Sequence, residues 1–488
     1  MKGPELAPLY DVCIVGAGPA GLTLALTLAG SGRKVLLLET GGTEPSREIE
    51  TLNDGDVQCD GYAGLQSTRR RGMGGTARAW DVTVGGGPGA KYVPLSARDM
   101  AGWPFAWSEL QPFYVQAQDV CGLGPFEYGA APWATGARRP FRLEGTGLTS
   151  AIYQFGRGDR FTRILVDRVS SHESITLATG TAVGFSREAG AAAIRGVRLM
   201  SWEGQASEVR ARAVVLACGA VENARRLLLE ARASGRGSSW LGCCFMEHAR
   251  DFSLVLTPES PELFAASAFY DLHAAGPEFW VGGRLTLTDS AMDEFALPNA
   301  SLTLVPRRGR SAARELLDPL LRATGLARAP VRYGWSHARW PSRVFDVFLL
   351  VLNLEQRPKE SNRVLLGERA DRFGTPLPRL ELAWSEEEQR ELERLRELLE
   401  RWFREAKLGR LSVTTGRPPD LNAHHHAGTT RMAAEAQDGV VDPDGRVFGF
   451  DNLYVTGASV FPRAGFANPT LTVVALALRL ARHLHRAL

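Results

Sequence analysis

Residues 10–39 read YDVCIVGAGPAGLTLALTLAGSGRKVLLLE. A short β-rich run from Tyr10 enters Gly16-Ala-Gly18-Pro-Ala-Gly21. A helical stretch follows to about Ser31, then a second strand, Lys34 to Leu38, ends in Glu39. Few folds accommodate this order. Gly16 suits the tight turn out of the strand, Gly18 lets a pyrophosphate approach the backbone, and Gly21 lets the helix pack closely. The free N–H groups of that helix then face the phosphates. Glu39 lies 18 residues past Gly21, where a carboxylate can accept hydrogen bonds from ribose hydroxyls. The unit predicts one half of a Rossmann-like dinucleotide-binding domain and does not by itself separate FAD from a nicotinamide cofactor.

Glycine is in surplus, with 52 in 488 residues, against an average near ~7%. Part of the surplus falls in Arg69-Arg-Arg-Gly72-Met-Gly74-Gly75-Thr-Ala-Arg-Ala-Trp80. Paired glycines flanked by basic residues suit a loop lying against a phosphate or a ring system. The run Gly85–Gly89 reads as plain loop. Later, Ala213 to Cys218, Gly219 and a helical pattern from Val221 to Ala233 form a second strand–Gly–helix crossover, either the other half of a nucleotide-binding domain or simply another structural βα unit.

Residues 251–384 alternate apolar and polar positions, as strands of a separate sheet do. Within them, Arg307 to Arg343 carries nine arginines against Glu315 and Asp318. A solvated helical insert is the favoured reading over a cationic lid on an anionic substrate. Ser385-Glu-Glu-Glu388 is a capping box. It opens an amphipathic helix whose Leu392, Leu395, Leu398, Leu399, Trp402 and Phe403 belong to a core. Near the end stand His424-His425-His426, then Asn452–Pro462, then Asn468-Pro469-Thr470 opening an apolar helix. Asparagine at N-cap and proline at N1 form a standard helix start. The three consecutive histidines point in different directions and lack an H-x-x-x-H spacing, so no metal site is expected. One of them aimed into a pocket suits a general base.

Lys and Arg total 57 against 54 Asp and Glu, a net charge of +3, which gives no case for nucleic acid. Six irregularly spaced cysteines without a CxxC pair give no disulfide framework and no zinc site. The apolar stretch Val344 to Leu354 is too short to span a bilayer. The expectation is a soluble cytoplasmic protein.

Five motifs together resemble the glucose–methanol–choline (GMC) flavoprotein oxidoreductases over nearly the full length. They are VGAGPAGL with Glu39, RGMGGTARAW, VVLACGAVENARRLLL, HHHAGTTRM and NLYVTGASVFPRAGFANPTLTVVALALRLA. The last two are most similar to the branch of sugar and glycoside oxidases and dehydrogenases. The resemblance implies an α/β chain (α+β overall). A discontinuous Rossmann-like FAD domain would take 1–100, 165–250 and 415–488. A substrate domain with a largely antiparallel sheet would take 101–164 and 251–414.

Carried over, it makes His425 the catalytic base and Asn468 its companion. It gives the cofactor Gly16, Gly18, Gly21, Glu39, Gly74, Gly75, Gly219, Ala458, Pro469 and Thr470, with backbone at Val183 bordering the adenine. Two departures stand out. Thr76–Trp80 lacks the histidine that attaches FAD covalently in some relatives, so noncovalent FAD is expected. Gly457 stands where a carboxylate is common. The implied reaction is oxidation of a primary or secondary alcohol of a sugar, glycoside, polyol or natural product, by hydride transfer to flavin. Oxygen, a quinone or a redox protein is the electron acceptor. The rivals are lyase or decarboxylase chemistry, a nicotinamide dehydrogenase, and a subunit that holds flavin without turnover.

Overall fold

The computed structural model describes residues 8–308, 334–337, 345–416 and 418–488. Most of the arginine-rich stretch Arg307–Arg343 lies outside the described residues.

Two large sheets organise the chain. In the first, Ile175–Thr179, Val35–Glu39, Tyr10–Val15, Ala206–Leu216 and Leu453–Val455 run parallel in that order. The N-terminal half of Ala206–Leu216 also continues into an antiparallel meander through Gly196–Met200 and Thr181–Ser186. Strands buried on both faces read as continuous apolar runs, and Val35, Leu36, Leu37 and Leu38 are wholly buried. The strand order reverses at Tyr10–Val15, which places a ligand crevice at the carboxyl ends on either side of it. The helix Pro19–Gly30 leaves that crevice, packs on the C-terminal helix Thr470–Ala487, and this in turn packs on Trp107–Cys121.

The second sheet is antiparallel and nine-stranded. Its order is Gly409–Val413, Ala249–Pro258, Val347–Leu354, Ala300–Arg307, Phe279–Leu287, Leu148–Arg157, Gly87–Tyr92 and Val82–Val84, with His273–Ala274 beside Phe279–Leu287. Side chains alternate between its faces. Leu302, Leu304, Leu350 and Leu352 point into a core shared with Leu395, Leu399 and Phe403 of the helix Glu386–Glu405. That helix starts at the expected capping box: Glu388 N donates to Ser385 Oγ at 3.3 Å, and Ser385 N donates to Glu388 Oε2 at 2.8 Å. The opposite face of the sheet carries Thr303, Val305, Leu349, Val351 and Asn353, which line a cavity.

Several sequence expectations change. Gly85 and Gly86 form the turn of a hairpin between Val82–Val84 and Gly87–Tyr92, so the glycine run is partly strand. That hairpin falls within 1–100 yet extends the antiparallel sheet. Asp56–Gln58, also within 1–100, joins Pro376–Glu381 in a three-stranded sheet. Trp107–Cys121, from the 101–164 segment, packs on the C-terminal helix. Long-range pairing decides which sheet a short strand joins, and local pattern does not carry that information. Among the described residues, no helix is long and apolar enough to cross a membrane.

Candidate active site

A cavity of about 780 Å³ begins at the carboxyl ends of the parallel strands and reaches the antiparallel sheet. Its walls include Gly16, Gly18, Glu39, Gly75, Gly219, Ala458, Pro469, Thr470, His425 and Asn468. Residues from all five motifs therefore meet at one space. Asn223 helps to hold them there. Its Oδ1 accepts from Cys218 N (2.8 Å), and its Nδ2 donates to Ser459 Oγ (2.9 Å). Thr429 Oγ1 donates to Ala220 O at 2.7 Å, tying the histidine motif to the second crossover.

Gly21 and Gly74 brace the site without lining it. A Cβ on Gly21 would lie 1.9 Å from Gly16 O. Gly74 adopts φ +89° and donates its N–H to Ala17 O at 2.9 Å, which docks the second glycine loop on the first. Gly180, Thr181 and Ala182 line the cavity, and Val183 comes next on the same strand, beside a small pocket with Phe185, Arg198 and Leu229 that shares Ala182 and Arg226 with the cavity.

Glu39 sits at the expected place but is already engaged. Its Oε2 accepts from Ala17 N (2.9 Å), and its Oε1 accepts from Thr40, Gly41 and Gly72 N (2.8, 3.3 and 3.1 Å). The carboxylate thus clamps both glycine loops to the end of its strand. Behind it, buried Glu222 meets four guanidinium groups, those of Arg69, Arg71, Arg225 and Arg226, at 3.7, 3.0, 3.3 and 2.6 Å. Burial alone would raise the Glu222 carboxyl; Arg226, Arg225, Arg71 and Arg69 together hold it well below the usual range.

These walls suit FAD. A Cβ on Gly18 or Gly219 would meet no atom of the chain and would project into open space, so bare backbone faces the cavity at both points. The Pro19–Gly30 helix presents its N-terminus there, with no acidic residue in its first turn to compete with a diphosphate.

At the other end, three ring and amide groups form a chain. Asn468 Nδ2 lies 2.9 Å from His425 Nε2, and His425 Nδ1 lies 2.9 Å from His248 Nδ1. An amide N–H donated to Nε2 leaves the His425 proton on Nδ1, where it is donated to His248. The lone pair of His425 is then on Nε2, where it accepts from Asn468. Asn468 does not cap its helix with its side chain. The helix is Thr470–Ala487 with Pro469 at the cap, and the amide bonds His425 instead.

His248 and its neighbour Glu247 were missed by sequence reasoning. Two ionisable residues within the buried run Phe245–Ala249 were the available signal. Glu247 Oε1 accepts from His425 N at 2.6 Å and from His248 N at 3.0 Å. Its Oε2 accepts from Tyr62 Oη at 2.9 Å, and Tyr62 Oη lies 2.8 Å from His426 Nε2. Burial pushes the Glu247 carboxyl up to about 8, against the pull of these donors. Burial, and then Lys91, lowers His248 to about 3. Burial, then Arg69 and His424, lowers His426 to about 3. His425 is held well below its ordinary value by burial, then by His248, Lys91 and Arg250. All three imidazoles are therefore neutral at pH 7, and a neutral His425 can accept a proton.

Several known proteins are similar to this chain. Residues 358–477 match the family described as GMC oxidoreductase, and residues 10–51 match pyridine nucleotide-disulphide oxidoreductase. Paromamine 6'-oxidase of Streptomyces fradiae is 27% identical, with 97% of this chain and 91% of that one covered. The 6'''-hydroxyparomomycin C oxidase of Streptomyces lividus is 25% identical at the same coverage. C-glycoside 3-oxidase of Microbacterium trichothecenolyticum is 36% identical over 25% of this chain and 24% of its own. The fold is shared with pyridoxine 4-oxidase from Mesorbium loti, with TM-score 0.57, 17% identity, and 98% of this chain and 99% of that one covered. It is also shared with a formate oxidase, with TM-score 0.56, 18% identity and 99% of each chain covered. The chain is thus similar to GMC oxidoreductases over residues 358–477, and to two oxidases at 27% and 25% identity over nearly its full length.

Proposed function

We propose that the protein oxidises a primary or secondary alcohol to the carbonyl, with noncovalently bound FAD. The observation that carries this reading is the His425–Asn468 pair on the wall of a cavity that begins at the dinucleotide motif. Bound FAD supplies the acceptor for the hydride that leaves the carbinol carbon. The substrate hydroxyl displaces the Asn468 N–H from His425 Nε2, which takes the hydroxyl proton, and Asn468 Nδ2 donates instead to the substrate oxygen and orients it. The Nδ1–H···Nδ1 bond to His248 keeps the base lone pair on the cavity side. Glu247, at the His425 backbone N–H, fixes the loop that carries the ring.

The relatives that act on paromamine, hydroxyparomomycin and C-glycosides support a sugar or glycoside alcohol as substrate. Oxygen, a quinone or a redox protein would serve as the final electron acceptor. The absence of histidine in Thr76–Trp80 supports a noncovalent cofactor, and acid precipitation should then release all of the yellow colour.

A panel of sugars, glycosides and polyols, mixed anaerobically with the yellow protein, tests the reading. The expected result is bleaching of the flavin with one carbonyl formed per flavin reduced. A decarboxylated or eliminated product, with the flavin oxidised throughout, would assign the site to non-redox chemistry. Admission of air afterwards reports whether oxygen is the acceptor.

A further inference from the structure

The antiparallel sheet meets the catalytic histidines at one end of a face that changes character along its length. His248, which bonds His425, directly precedes the strand Ala249–Pro258. Arg250 and Phe252 follow it at every second position, and both line the cavity. At ~3.3 Å per residue, Phe252 lies about 13 Å beyond His248 along the strand. On the neighbouring strand Asn353, Val351 and Leu349 line the cavity too, with Asn353 directly opposite Arg250. On the strand after that, Thr303 stands opposite Val351 and Val305 opposite Leu349, again on the cavity wall. The three strands are adjacent in the sheet, and facing residues on paired strands hold their Cβ atoms about 4.5–5.5 Å apart.

The face is therefore polar beside the histidines and apolar farther out. Phe252, Val351, Leu349 and Val305 form one patch with Thr303 among them, and Arg307 follows Val305 at its far end. The Arg250 guanidinium lies 5.5 Å from the Phe252 ring centroid and joins the two zones. The patch is open to the cavity: Phe252 is 43% exposed, and Leu349 and Val351 are half-buried. On the other side of the same strands Leu254, Leu302, Leu304, Leu350 and Leu352 are wholly buried. Apolar surface left open inside a cavity favours a ligand that covers it with apolar groups. Hydroxyl or ammonium groups pressed onto it would lose water without a hydrogen bond in return.

We infer that the alcohol oxidised by this chain is a glycoside with an apolar aglycone. The aglycone, an aryl or short alkyl group, lies on Phe252, Val351, Leu349 and Val305, and the sugar ring spans Arg250 and Asn353 to reach His425. The inference rests on the alcohol-oxidation reading for the site concerned and adds the class of group at the far end of the substrate. An amino sugar in the aglycone position would strand its ammonium group on the patch, so an aminoglycoside is the disfavoured substrate.

The test is a binding titration of the flavin-loaded protein, read as perturbation of the flavin spectrum. Methyl, n-butyl and phenyl β-D-glucopyranoside carry one sugar with an aglycone of growing apolar area, and paromamine supplies the aminoglycoside. The n-butyl and phenyl glucosides should each bind at least about tenfold more tightly than the methyl glucoside, since each buried methylene is worth roughly three- to fourfold. Paromamine should bind most weakly. Phe252→Ala and Val351→Asn should each shrink the phenyl-to-methyl ratio, and Phe252→Tyr should keep it. Equal affinities across the glucosides, the result expected if protein rather than substrate covers the patch, overturn the inference. Tightest binding of paromamine, no response to any glucoside, or an aglycone preference that survives both variants overturns it as well. The wild-type order decides even if a variant fails to fold. Bleaching is scored separately, so a glucoside that binds in the expected order without reducing the flavin counts against alcohol oxidation alone.

Discussion

Replacing His248 by leucine isolates the second ring behind the catalytic base. His248 is 2% exposed, and its Nδ1 lies 2.9 Å from His425 Nδ1. In the resting enzyme the His425 Nδ1–H is donated to it. When His425 takes the substrate proton the donor becomes cationic, and a hydrogen bond from a charged donor is roughly twice as strong as a neutral one. The interaction therefore strengthens toward the transition state, so its loss should fall on kcat more than on KM. Stranding that N–H costs about 1–3 kcal/mol, which corresponds to roughly 5- to 150-fold in rate. The assay is stopped-flow anaerobic reduction of bound flavin across pH, with Tm measured alongside. His248→Asn, which restores an acceptor near the lost Nδ1, should recover most of the rate, while His248→Leu should also shift the pH profile of reduction. Flavin reduction in His248→Leu at the wild-type rate and with the wild-type pH profile would refute the reasoning.

Four further outcomes follow from the same geometry. The Glu247 carboxyl is raised from 4.5 to about 8, so between those values the folded chain holds a proton that the unfolded chain has released. Stability should fall as pH rises through that window, and Glu247→Gln should flatten that limb of a Tm-against-pH curve. His248 and His426 are lowered from 6.5 to about 3, so stability should also fall as pH drops below 6.5, a limb that Glu247→Gln leaves in place. Asn468→Ala should slow flavin reduction yet lose less than the ~1 kcal/mol of a helix cap, because the amide bonds His425 instead; urea unfolding reads the difference. Glu222→Gln leaves four buried arginines without their shared anion and should cost about 3–5 kcal/mol. A loss within about 1 kcal/mol in urea unfolding would contradict that role.

What the sequence disclosed was chemistry carried by short, contiguous runs. The strand, Gly16-to-Gly21 turn and helix announced themselves because backbone geometry imposes their residue types at fixed spacing. The capping box at Ser385 did so for the same reason. His425 and Asn468 came from a motif resemblance, and the fold brings their side chains to 2.9 Å. The parts that escaped are made by long-range pairing. His248 joins His425 across 177 residues, and Tyr62 joins His426 across 364, and no local pattern signals either. Asn468 matched a helix-cap signature in sequence, but a ring 43 residues away competes for its amide and takes it. Lys91 drew no notice because it follows a glycine run that resembles loop. Its strand is set by pairing with Val82–Val84 on one side and Leu148–Arg157 on the other.

The central claim is that His425 removes the substrate hydroxyl proton in a flavin-dependent oxidation. It is tested most directly by the anaerobic rate of flavin reduction in His425→Ala, with cofactor content fixed at the wild-type level. FAD should remain bound and reduction by the alcohol should fall by ~10²–10⁴-fold, the usual contribution of a positioned general base. A variant that binds FAD and is reduced by the same alcohol at the wild-type rate would contradict it.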